Sequence, residues 1–123
     1  MTSPRLTQAR ELVTQLTQAL EPIGATATLH AEQVPSAARH GVALISPPSI
    51  RFETFEHSEA LFEVYVIAGP PTRPLIAWER LDEMIDALEQ AGINLKSAEP
   101  ATFTPYDASA PLHAYILKLN PTD

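Results

Sequence analysis

Leu6, Ala9, Leu12, Val13, Leu16, Ala19 and Leu20 recur at three- and four-residue spacing and predict one apolar stripe on a helix from about Ser3 to Glu21. Gln8, Arg10, Glu11, Thr14, Gln15 and Gln18 lie largely off that stripe. Thr2 or Ser3 suits the N-cap, and Pro4 suits the first helical position, where a missing N–H removes no hydrogen bond. Pro22 and Gly24 end the helix.

The pattern then changes to alternation. Ala25 to Ala31 predicts a short strand, with Ala25, Ala27, Leu29 and Ala31 on one face and Thr26, Thr28 and His30 on the other. Glu32 to Gly41 has no sustained period and reads as a loop. Val42 to Ser46 is a second strand; Pro47 and Pro48 interrupt pairing, and Ile50 to Phe55 resumes it. Ala60 to Ala68 carries the strongest strand signal. Phe62, Val64, Val66 and Ala68 form one face and Leu61, Glu63, Tyr65 and Ile67 the other, so this strand is expected to be central and covered on both sides.

After Gly69–Pro74 a second helix is expected from Pro74 to Ala91, capped by Thr72 and ended by Gly92. Leu75, Trp78, Leu81, Ile85 and Leu88 are read as its buried stripe, flanked by Met84, with Glu79, Asp82, Glu83, Asp86 and Glu89 on another face. Leu95 to Thr104 and Leu112 to Leu119 predict two final strands, joined by a turn from Pro105 to Pro111 and followed by a polar tail. The element order α-β-β-β-α-β-β gives an α+β class: one antiparallel or mixed sheet with two helices packed on one face.

Composition narrows the reading. A chain of 123 residues with 45% hydrophobic content supports one core and argues for a single domain over residues 1–123. No apolar run approaches the ~20 residues of a membrane span, and no basic-then-apolar start suggests a signal peptide. The absence of cysteine excludes disulfides, thiolate metal sites and thiol catalysis. A net charge of −7 disfavours general or sequence-specific nucleic-acid binding, since such a surface repels phosphate.

Candidate chemistry is sparse. His30, His40, His57 and His113 form no HxH or HxxxH pair, so no metal is expected. The acidic helix face reads as solvated, without a cation-binding loop; Glu53, Glu56, Glu59 and Glu63 form a second acidic stretch, and no sequence feature marks the cleft that acid–base work there would need. No GxSxG, GxGxxG or GxxxxGK[ST] sequence occurs, so no catalytic residue and no cofactor is assigned. Trp78, Phe62, Phe103 and Tyr115 sit at periodic positions and are expected in the core.

The segment Pro74-Leu-Ile-Ala-Trp-Glu-Arg-Leu-Asp-Glu-Met-Ile-Asp-Ala-Leu, then Ala98-Glu-Pro-Ala-Thr-Phe, then Leu112-His-Ala-Tyr-Ile-Leu-Lys-Leu resembles small tail proteins of actinobacterial phages and prophages. These are the tail terminators and related minor tail and head–tail joining proteins. The resemblance implies a non-enzymatic subunit that forms a ring, commonly a hexamer, capping the tail tube and offering a surface to head-completion proteins. It implies a place in the virion tail, or in the host cytoplasm before assembly. For a subunit or partner interface the candidates are Val34, Pro35 and Arg39 in the loop, Phe55 at the next break and Tyr106 in the last turn. A loop or ordinary packing is the plainer reading of each. The Pro47–Pro48 interruption matches no family feature. A small-ligand or peptide-binding α+β module is the alternative, marked by a pocket, and an unrecognised carboxylate or histidine enzyme ranks third.

Overall fold

The computed structural model describes residues 4–54, 57–105 and 110–120. Helix α1 (Pro4–Leu20) buries Ala9, Leu16 and Leu20, and the caps expected at Thr2 and Ser3 lie outside the described residues. A 3-10 turn, Glu21–Ile23, follows. Gly24, at φ 77°, ends it by donating its N–H to the Glu21 carbonyl at 3.0 Å, a left-handed conformation that suits a residue without Cβ.

Strand β1 (Thr26–Thr28) is shorter than expected. The presumed loop after it folds into a 3-10 turn, Ala31–Gln33, and a single helical turn, α2 (Val34–Ala37). Thr28 holds this turn in place: its hydroxyl donates to Gln33 Oε1 at 2.7 Å and accepts the His30 N–H at 3.0 Å. Local side-chain bonds of this kind leave no hydrophobic period to read.

The remaining elements are β2 (Val42–Ile45), β3 (Ser49–Thr54), β4 (His57–Leu61), β5 (Glu63–Ala68), α3 (Pro74–Gln90), β6 (Leu95–Phe103) and β7 (Leu112–Leu119). The main sheet has five strands in the order β1-β2-β5-β7-β6. β1 runs parallel to β2, and every other pair is antiparallel. The expected strand from Ala60 to Ala68 is divided at Phe62. Residues before it pair with β3 in a separate two-stranded hairpin, and residues after it enter the main sheet. The Pro47–Pro48 pair marks where the chain leaves the main sheet for that hairpin.

The fold is α+β with a mixed sheet, and α1 and α3 cover one face of it as expected. Leu16, Leu20, Ala43, Ile45, Val64, Val66, Leu81, Met84, Leu88 and Leu117 meet in that core. The opposite face carries a second cluster in which Val34 and Ala38 cover Val42, Leu44, Ile67, Leu112 and Ala114. Central β5 is therefore covered on both faces, as its apolar alternation indicates. Tyr65 and Phe103 extend the second cluster as an edge-to-face aromatic pair with centroids 6.2 Å apart.

The buried stripe of α3 differs from the one read in sequence. Ala77, Leu81, Met84 and Leu88 face the core at i, i+4, i+7 and i+11. Leu75 and Trp78, assigned to the core in sequence, are instead 64% and 54% exposed. The small side chain of Ala77 hides the true stripe from a search for large apolar residues. Phe62, Phe103 and Tyr115 are half-buried and pack against the two clusters. The N-cap of α3 is Arg73, without a side-chain cap bond, in place of Thr72.

Candidate functional site

Among the described residues, exposed large apolar side chains gather on two elements, α3 and the hairpin, with Leu6 of α1 exposed apart from them. At the start of α3, Leu75, Ile76 and Trp78 are all exposed. Helical spacing puts Leu75 and Trp78 in line with Glu79, Asp82 and Asp86, which are exposed as well. On the hairpin, Ile50 and Phe52 share one side of β3, at 37% and 72% exposure. A two-stranded hairpin is marginally stable on its own in water, so a side carrying an exposed phenylalanine is open to further packing.

The other side of β3 borders a groove of about 400 Å³ at the end of the main sheet where β5 and β6 begin and β7 ends. Ser49 and Arg51 contribute from β3, Leu61, Phe62 and Glu63 from the β4–β5 junction, and Lys96, Lys118 and Leu119 from β6 and β7. Lys96 and Lys118 are the only lysines in the chain, and both are exposed. They converge because the register of β6 against β7 slips between Leu95 and Ser97, leaving Lys96 as the extra residue beside the Ser97–Lys118 pair. Among the described lining residues Arg51, Lys96 and Lys118 outnumber the one carboxylate, Glu63, in a protein whose net charge is −7.

The residues picked from sequence for an interface do not gather at one place. Val34 is fully buried in the second core, so its side chain serves the fold. Pro35 is half-buried within α2, and Arg39 is exposed in the turn before β2. Phe55 and Tyr106 lie outside the described residues. The structure brings forward Trp78, Leu75, Phe52, Lys96 and Lys118. A signal for the first two exists in sequence, since they fall in line with the acids of α3. No sequence signal locates the lysine pair, because it depends on strand register.

Among the described residues no group of three or more His, Asp or Glu side chains stands close enough to hold a metal ion. His113 sits with Nε2 3.3 Å from the Pro71 carbonyl, and exposed His30 lies 3.6 Å from Glu32. Among the described residues no helix is long and apolar enough to cross a membrane. No protein-family model matches the chain, and no curated protein matches it either.

Proposed function

We propose that this protein is a structural, self-associating subunit of a phage or prophage tail, of the tail-terminator kind. On this reading it is not an enzyme. It closes into a ring, six-membered by the resemblance, that caps the tail tube and presents a surface to head-completion proteins. The observation that carries the reading is the pair of exposed apolar surfaces on separate elements, Leu75–Trp78 on α3 and Ile50–Phe52 on the hairpin. Two unlike surfaces on one chain suit heterologous, head-to-tail contact, and such contact generates rings when the rotation closes. The excess of acids over bases is compatible with a ring lumen that DNA traverses without sticking.

The test is the mass of the purified protein across a wide concentration range by light scattering, with negative-stain images. Closed rings of a single size are the expected result. Open, unlimited polymers, or a monomer at every concentration that also fails to bind tail tubes, would overturn the reading. A second reading, a module that binds acidic peptide segments, has the basic groove in its favour. Titration with an acidic peptide separates it from the first, since saturable binding without ring formation supports only the module.

A further inference from the structure

The main sheet, β1-β2-β5-β7-β6, has two outer edges of very different length. β1 is three residues long, whereas β6 (Leu95–Phe103) runs for nine, about 30 Å of strand. Among the described residues no strand pairs with the outer side of β6. A long open edge is a template for another chain, and natural sheets close theirs with short strands, bulges, charges or proline.

Two hydrogen bonds fix which backbone groups of β6 face outward. Leu119 donates its N–H to the Phe62 carbonyl at 3.2 Å, on the β5 side of β7, and Asn120 donates to the Asn94 carbonyl at 3.0 Å, on the β6 side. Backbone groups alternate in direction along a strand, so Tyr115 and Leu117 turn to β5 as Leu119 does, while Ala114 and Ile116 turn to β6. The register sets Ala101 opposite Ala114, Glu99 opposite Ile116 and Pro100 opposite Tyr115. Ala101 and Glu99 therefore bond to β7, and the Pro100 nitrogen points away from it. The outward set is Ala98, Pro100 and Thr102, and all three residues are exposed.

We infer that Pro100 closes the outer edge of β6 to strand addition by a second copy of this chain. A strand laid against that edge needs an outward N–H at every second residue, and at the centre it meets the proline ring instead. The donors that remain, on Ala98 and Thr102, stand about 13 Å apart on either side of the gap. Toward the start of β6 the slip at Lys96 breaks the alternation, so the row of donors stops at Ala98. At this outward position the missing N–H removes no bond to β7, so the block leaves the fold intact. The inference goes beyond the ring reading and does not depend on it: whichever surfaces join copies, the outer edge of β6 is not one of them.

Restoring the donor tests this. Pro100→Val returns the outward N–H on a residue that suits strands. It should keep the melting temperature of the monomer and lower, about tenfold, the concentration at which light scattering shows association beyond the wild-type state, the scale of one net hydrogen bond. The chain has no cysteine, so Thr102→Cys is a unique label on the edge. A short bis-maleimide should cross-link that label between copies when Pro100→Val is present and not when Pro100 is in place. Moving the block to the next outward position, in Pro100→Val/Thr102→Pro, should return association to the wild-type level. Pro100→Ala restores the same N–H and carries the test should the valine variant misfold.

Association and cross-linking that stay at the wild-type level in both Pro100→Val and Pro100→Ala would overturn the inference. Efficient cross-linking of Thr102→Cys with Pro100 in place would overturn it too, because β6 would then lie in a seam between copies. A large gain in monomer stability without association would do the same, by showing that the nitrogen faces β7. Ring closure is decided separately, by the wild-type mass, so either idea can fail while the other stands.

Discussion

Arg80 of α3 and His40, in the turn before β2, are joined by a fork of two hydrogen bonds: Nε and Nη2 donate to the His40 carbonyl at 2.9 and 2.7 Å. Nη2 also donates to the Ile23 carbonyl, and Nη1 reaches Glu83 Oε2 at 3.2 Å. One guanidinium therefore ties α3 to the 3-10 turn after α1 and to the segment that leads into the main sheet. A planar head with fixed donor directions can do this, and an ammonium on a flexible stem cannot reproduce the fork.

Arg80→Met should therefore destabilise the protein by about 2 kcal/mol, the usual scale for hydrogen bonds made by a charged group. The side chain is 21% exposed, so water reaches the vacated carbonyls and keeps the loss from growing further. Arg80→Lys should recover less than half of it. Urea denaturation of the three proteins at one pH decides the point, and equal midpoints for Arg and Lys would show that charge alone matters.

The revised face of α3 gives a second expectation. Leu81 is 2% exposed and Leu75 is 64% exposed. Leu81→Ala should cost about 3 kcal/mol, through lost burial and a residual cavity. Leu75→Ala should stay within about 0.5 kcal/mol, as surface substitutions do. Thermal melts of the two variants, run at low concentration to keep association out of the comparison, separate the structural stripe from the interaction stripe.

That contrast shows where the sequence was legible. Helix α1, central β5 and the final β6–β7 pair stand where hydrophobic spacing puts them, because each buries a face long enough to leave a period. The hairpin escapes the pattern for a physical reason: Ala60 and Leu61, the last residues of β4, run on through Phe62 into β5 as one largely apolar stretch, and the break at Phe62 sends the two parts into different sheets. α2 was missed because Thr28 and Gln33 organise its entry by polar contacts. Trp78 fits a three- and four-residue apolar spacing with Leu75, Leu81 and Ile85, but its i+4 neighbour is Asp82, and both are exposed. Lys96 and Lys118 meet through a strand slip that no linear pattern encodes.

The polar organisation at Thr28 is testable on its own. Thr28 is buried, at 7% exposure. Thr28→Val keeps the shape and removes both hydrogen bonds, for an expected loss of about 1 kcal/mol. The sharper readout is amide exchange: the His30 N–H, bonded to the Thr28 hydroxyl in the native protein, should exchange faster in the variant while the β5 amides keep their protection. Unchanged exchange at His30 would mean the hydroxyl does not hold the turn.

Gly41 and Gly92 share a backbone conformation and differ in surroundings, which isolates close packing from strain. Their φ angles are 93° and 84°. A Cβ on Gly92 would meet nothing within 4 Å, whereas one on Gly41 would stand 2.7 Å from Met84 Sδ. Met84 is fully buried, so its sulfur can yield only by repacking the core beneath α3. Gly92→Ala should thus cost about 1 kcal/mol, the left-handed penalty by itself. Gly41→Ala should cost about 3 kcal/mol, the same penalty plus overpacking. In Gly41→Ala/Met84→Ala the added methyl occupies space the shortened side chain has vacated, so the combined loss should be smaller than the sum of the two single losses. Strict additivity, measured by urea midpoints at equal slope, would show that Gly41 is required for its backbone angle alone.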